Sequence, residues 1–317
     1  MTKTDLQMKM GCKNHHNTAV AIFSFNRPRY LKEVIKSIEK NTFLDDLDFY
    51  FFQDGAVNKF SGRVAASEEK IKKCLSIWDR AALPNKHLIR NNLNLGIGIS
   101  QFEAKELLFC QMGYDRVMFF EDDLVLNRNY IRTLRIMLDQ FQNENGVGAV
   151  MCHGGEPRIY TESETRLLLC RVRTANDQLW GWAMWNDRWQ KIKPAFLEYY
   201  KFIKDVDYKR KPRMEITAFY IERGFNIKVT SQDAAIYYAL TTNNLVTLGS
   251  FTHRGKYIGA KGLHMSPDQF KKLGYEKVSL VKLEEDAKLE KFIGYDEKEF
   301  LACQKSIFML NPPTQLL

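Results

Sequence analysis

The chain has 317 residues, room for one large α/β domain or two smaller ones, and its 45% hydrophobic and 27% charged fractions are ordinary for a soluble globular protein. Residues 1–17 contain no apolar h-region and nowhere do roughly 18 apolar residues run together, which argues against a signal peptide and a membrane span. Lys and Arg outnumber the acids 47 to 38, a net charge of +9 and a pI near 9.1, which suits a partner such as nucleic acid, phospholipid or a diphosphate-bearing molecule without identifying one.

In chain order, Ala19 to Phe25 has the apolar run of a buried strand, ending in Asn26-Arg27-Pro28-Arg29. A helix follows, with Pro28 at its start and Leu31, Val34, Ile35 and Ile38 on one face. Leu47 to Phe52 is a second strand, closed by Gln53-Asp54-Gly55. Ser67 to Ala81 has helical spacing, with Ile71, Cys74, Leu75 and Trp78 on one face. A short strand (His87 to Arg90) and the polar loop 91–98 lead to a helix over about 100–112. Next comes Val117 to Phe120, an aromatic and β-branched strand that stops in Glu121, Asp122 and Asp123. A helix over 129–141 and a strand over 147–152 complete the series.

Strands alternate with helices through this half, the pattern of a mostly parallel sheet with helices on both faces. Ligands bind such sheets beyond the carboxyl ends of the strands, and those ends carry Arg27, Asp54 and the 121–123 acids. Adjacent carboxylates repel one another unless a cation or hydrogen-bond donors stand beside them, and a hard divalent ion shared with a diphosphate would satisfy them. A solvated acidic turn is the plainer alternative. The loop 91–98 has neither the GxGxxG of a dinucleotide fold nor a P-loop lysine, which discounts those two classes.

The second half is less regular. Trp180 to Trp189 holds four of the five tryptophans, and at helical spacing Trp182, Trp185 and Trp189 share a face suited equally to core packing or to stacking on a sugar ring. The basic run 201–213 is either a solvated loop or an acceptor contact. A helix begins near Asp233, a short strand covers 245–248, and a glycine-punctuated basic loop spans 251–264. Lys/Glu-rich peripheral helices follow, with order ending at Asn311-Pro312-Pro313. The natural divisions are a tail (1–17), an α/β half (18–155), a second half (156–265) and a C-terminal portion (266–317). The six cysteines are scattered without a CxxC pair, which indicates free thiols in a reducing compartment and a cytoplasmic protein.

From about Ala19 to His264 the order of these motifs resembles GT-A fold glycosyltransferases. It is most similar to the N-acetylglucosaminyltransferase group that starts complex N-glycans, with its bacterial and viral relatives. The carriers are Asn26-Arg27-Pro28, Gln53-Asp54-Gly55, Glu121-Asp122-Asp123, the Trp-rich segment, Asp233, and Ile258-Gly259-Ala260-Lys261-Gly262. The resemblance implies a GT-A (Rossmann-like) sheet with a less regular acceptor portion. It also implies inverting, metal-dependent transfer of a sugar from a nucleotide sugar, UDP-linked by preference, to an acceptor hydroxyl. By that resemblance Arg27 and Asp54 hold the nucleotide base, Glu121 faces the donor sugar, and Asp122 faces the ribose. Asp123 binds Mn²⁺ or Mg²⁺ with His264 as a second ligand, Arg254 and Lys261 contact the diphosphate, and Asp233 is the general base. Trp180 and Trp182 are the aromatic candidates for the acceptor. That acceptor is a saccharide, a lipid-linked glycan or a hydroxymethylated DNA base; the segment 189–231 is longer than its counterpart, so the N-glycan substrate does not transfer. Rival readings are a nucleotidyltransferase, disfavoured by Arg27-Pro28 where that class has a Gly/Lys-rich loop, and a non-catalytic glycan- or nucleic-acid-binding protein on the same fold.

Overall fold

A computed structural model describes residues 17–153, 159–262, 265–282, 286 and 288–311. The strands are β1 (Thr18–Ser24), β2 (Asp48–Gln53), β3 (Lys86–Arg90), β4 (Arg116–Glu121), β5 (Leu124–Leu126), β6 (Val147–Met151), β7 (Val172–Thr174), β8 (Gly181–Trp185), β9 (Val246–Ser250) and β10 (Gly255–Tyr257). Eight of them form one sheet in the order β3-β2-β1-β4-β8-β6-β9-β7; β5 and β10 pair in a separate antiparallel ribbon. The pairings β1–β2, β1–β4, β2–β3 and β6–β9 are parallel, and β8 and β7 run against their neighbours. The expected mostly parallel α/β sheet is therefore present, and it draws strands from both sides of residue 155.

Alternation along the strands explains its two cores. From β1, Ala19, Ala21 and Phe23 pack under the helices Ile97–Lys105, Asn186–Tyr200 and Gln232–Thr242. Val20 and Ile22 face the opposite way, against Pro28–Glu39, Glu68–Asp79 and Tyr130–Phe141, where Phe51 stacks on Trp78 at 4.9 Å. Strand and helix positions in the first half match the sequence reading closely. The tryptophan segment does not. Residues 181–185 form β8 and only the stretch from Asn186 onward is helical, because Gly181 lets Leu124 and Tyr130 approach where a Cβ would stand 2.4 and 2.8 Å from them.

The last helix, Glu297–Phe308, is not merely peripheral. Its Gln304 is buried, accepting from Thr247 N at 2.9 Å and donating to Leu245 O. Of the cysteines, the five described are free; Cys12 lies outside the described residues. Among the described residues no helix is long and apolar enough to cross a membrane.

Candidate active site

All the parallel strands end at one edge, and the chemistry gathers there. Glu121, the last residue of β4, donates its N–H to Trp180 O at 2.8 Å, which ties the acidic turn to the start of β8. Asp122 and Asp123 follow, both buried. Arg27 sits just beyond β1, where Pro28 opens a helix, and its guanidinium forks onto the pair: Nη1 donates to Asp123 Oδ2 at 2.5 Å and Nη2 to Asp122 Oδ1. Burial works against the Arg27 charge, but the Asp122 and Asp123 carboxylates outweigh it and hold the guanidinium protonated well above its ordinary range. Burial lifts the Asp123 carboxyl to about 6 in spite of Arg27, and raises Glu121 well above the usual carboxylate range, with the charges of Asp233 and Asp123 adding to the effect.

Asp233 enters from the opposite side, in the first turn of the helix Gln232–Thr242, whose N-terminus Ser231 caps through Oγ to Ala234 N at 3.3 Å. Its Oδ2 accepts from Leu179 N at 3.2 Å, and burial pushes its carboxyl up to about 6 against that hydrogen bond and the Lys105 charge. Asp122 Oδ2, Asp123 Oδ1 and Asp233 Oδ1 are buried and have no hydrogen-bond partner among the described residues. Three unsatisfied carboxylate oxygens at one sheet edge are costly unless a ligand, cation or proton meets them.

The described part of the 251–264 loop touches the acidic turn. Ile258 N donates to Asp123 O at 2.8 Å, and Lys261 N donates to Tyr30 Oη at 3.1 Å; the Lys261 side chain is exposed. Gly259 is required for this contact, because a Cβ there would stand 2.5 Å from Asp123 Oδ2.

Asp54 has a different setting. Its carboxylate accepts from Gly55 N, Leu95 N and Asn91 Nδ2 through Oδ1, and from Asn94 Nδ2 and Gly96 N through Oδ2, at 2.7–3.4 Å. It thus folds the 91–96 loop back onto the strand end, and its oxygens are already engaged.

Arg254 is turned away from the acids. It is fully buried, pairs with Asp286 Oδ1 at 2.6 Å, and donates to Thr252 Oγ1 at 2.9 Å and to Leu169 O at 3.2 Å. The expected diphosphate contact is corrected to a core ion pair. Trp182 is likewise corrected from acceptor contact to core: it is fully buried and stacks on Phe119 at 4.7 Å. Trp180 is half-buried and lies flat on Tyr257 at 3.9 Å, beside a cavity of about 130 Å³ lined by His153, Asp177, Gln178 and Tyr275. His264 lies outside the described residues.

Several participants were not singled out from the sequence. Gln101 Nε2 donates to Glu121 Oε1 at 3.3 Å, and Lys105, one helical turn on, is fully buried with Nζ 4.9 Å from the Phe119 ring centre and 5.4 Å from that of Trp182. Burial lowers Lys105 to about 7. Their available signal was polar residues at the i and i+4 positions of an otherwise apolar helix face. The basic run 201–213 is also partly built in. Asp207 accepts from Arg63 Nε at 2.9 Å and from Ser61 Oγ at 2.7 Å, and Tyr208 Oη donates to Gln232 Oε1 at 3.0 Å.

Whether these residues suit a divalent cation turns on the unsatisfied oxygens. Asp122 Oδ2 and Asp123 Oδ1 are hard donors of the kind Mg²⁺ and Mn²⁺ take, and such ions commonly use one or two carboxylates with substrate phosphates filling the rest. The residues fit a cation shared with a ligand. Among the described residues no group of three or more His, Cys, Asp or Glu is arranged to hold one alone.

No family model matches the chain, and no curated protein matches it. Solved structures similar to it include S. aureus TarS 1-349 (11% identity, TM-score 0.40, covering 81% of this chain and 63% of that one) and the same protein in complex with UDP-GlcNAc (12%, 0.42, 81% and 64%). A third is TarS 1-349 in complex with UDP (13%, TM-score 0.44, covering 92% of this chain and 72% of that one). The chain thus spans just under two thirds of the length of the first two.

Proposed function

We propose that the protein is an inverting glycosyltransferase that moves a sugar from a nucleotide diphosphate, UDP by preference, to an acceptor hydroxyl. One observation carries the reading: the Arg27-bound Asp122/Asp123 pair and Asp233, from elements more than a hundred residues apart, share one sheet edge with unsatisfied carboxylate oxygens. The acceptor oxygen forms a bond to the anomeric carbon as the sugar–diphosphate bond breaks, its electron pair leaving with the diphosphate. Asp233 takes the acceptor proton, and its raised pKa brings it nearer the range useful to a general base. Glu121, held by Gln101, orients the donor sugar, and Asp122 the ribose. Asp123, through Oδ1, would hold the Mn²⁺ or Mg²⁺, which when bound offsets the negative charge on the leaving diphosphate. The exposed Lys261 adds positive charge at the rim. Trp180 remains the aromatic candidate for the acceptor, which is a saccharide, a lipid-linked glycan or a modified DNA base.

Thermal unfolding against a panel of nucleotide sugars, with and without Mn²⁺, tests this. A ligand that binds only the folded form raises its melting temperature. A metal-dependent rise with one UDP-sugar is expected; no rise with any nucleotide would sink the reading.

A further inference from the structure

Lys211 is the residue of the basic run that the fold treats most unusually. It is 5% exposed, yet its ammonium makes no hydrogen bond or ion pair with any described residue. Its contact is the face of the Tyr208 ring, with Nζ 3.8 Å from the ring centre. The charges that act on it are Arg213, a second cation, and more weakly Asp233. The stem of the side chain is buried while the ammonium keeps access to solvent, and an adjacent guanidinium makes a like charge there costly unless an anion joins it.

The ammonium is also held in place. Tyr208 packs so closely on the loop organised by Asp54 that a Cβ at Gly96 would stand 2.9 Å from its Cβ, and its hydroxyl is bonded to Gln232, the neighbour of Asp233. The Arg63–Asp207–Ser61 cluster locks the preceding turn, and against burial those partners hold Asp207 down to about 2. An unpaired cation is thereby fixed between the 91–96 loop and the Asp233 helix.

We propose that Lys211 is a phosphate-binding residue, its ammonium meeting a phosphate oxygen of a ligand seated between the 91–96 loop and Asp233. This rests on the transferase reading and supplies the cation that Arg254, committed to Asp286, does not. The phosphate belongs to the nucleotide donor or to a phosphorylated second substrate.

Calorimetric titration of wild type, Lys211→Met and Lys211→Arg with UDP, with uridine, and with inorganic phosphate on the UDP-saturated protein separates the cases. The expected result is UDP binding weakened about tenfold or more in Lys211→Met, largely restored in Lys211→Arg, with uridine unchanged. UDP binding unchanged, but phosphate bound by wild type and not by Lys211→Met, supports the residue and assigns the phosphate to the second substrate. Equal UDP binding in all three proteins with no Lys211-dependent phosphate binding overturns the proposal while leaving the nucleotide reading intact. Should wild type bind neither UDP nor uridine, the transferase reading falls. Inorganic pyrophosphate then decides for Lys211 by itself: binding lost in Lys211→Met supports it, and no binding or no difference overturns it.

Discussion

Arg27 Nη1 lies 2.5 Å from Asp123 Oδ2, joining the end of β1 to the end of β4 across 96 residues of chain. With Asp122 on its other nitrogen, Arg27 is the counter-charge that lets two adjacent buried carboxylates persist. Removing one partner of such a cluster leaves uncompensated charge, which typically costs about 3–5 kcal/mol. Arg27→Met is therefore expected to lower the urea midpoint substantially at pH 7.5. The same variant combined with Asp122→Asn and Asp123→Asn should recover most of the loss, and a triple variant no more stable than Arg27→Met would contradict the pairing.

Burial lifts Asp123 and Asp233 each to about 6, against roughly 3.9 for Asp in an unfolded chain. Between those values the folded protein holds protons that the unfolded chain has released. Their contribution is thus fully present below about pH 4 and is lost as the pH rises to about 6. Asp233→Asn removes one of the two titrations. Wild type should lose stability relative to Asp233→Asn between pH 4 and 6, with the difference constant above. A difference that stays flat across that window would exclude a raised Asp233.

Much of this was legible in the sequence because it is local. The apolar runs of β1, β2 and β4 and the polar residues that stop them follow from period and composition, and so does a helix start near Asp233, whose role came only from the resemblance. What was not legible depends on pairing between distant segments. Nothing in the residues around Arg254 shows that Asp286 will bury with it, so a basic residue in a glycine-rich loop looked like a phosphate contact. The tryptophans misled for a related reason. A short aromatic run fits a helix face and a strand equally well, and the close approach of Leu124 and Tyr130 to Gly181 decides for the strand. Lys211 looked like one charge in a solvated run because its burial is created by Tyr208 docking on Gly96.

The Arg254–Asp286 pair, with both side chains fully buried, makes its own prediction. Arg254→Met should destabilise the fold by about 3–5 kcal/mol, since Asp286 is left charged in the interior. Adding Asp286→Leu should restore much of that stability. If Arg254 serves only the core, the double variant binds UDP as wild type does in calorimetry. A UDP affinity reduced tenfold in a well-folded double variant would return Arg254 to the ligand site.

Asp233 yields the sharpest functional expectation. A general base must be ionised to accept the acceptor proton, so with a pKa of about 6 the transfer rate should rise as the pH passes through 6 and level off above it. Asp233→Asn keeps the size of the side chain but removes the base, and should reduce turnover by about 10²–10⁴-fold. Because the neutral amide removes a carboxylate that burial disfavours, the variant should keep its donor affinity and melt higher than wild type at pH 7.5. Single-turnover transfer measured from pH 5 to 8, alongside donor titration of the variant, checks both halves. Near-normal turnover in Asp233→Asn, or a rate that does not change through pH 6, would move the base to another residue, with Glu121 the nearest candidate.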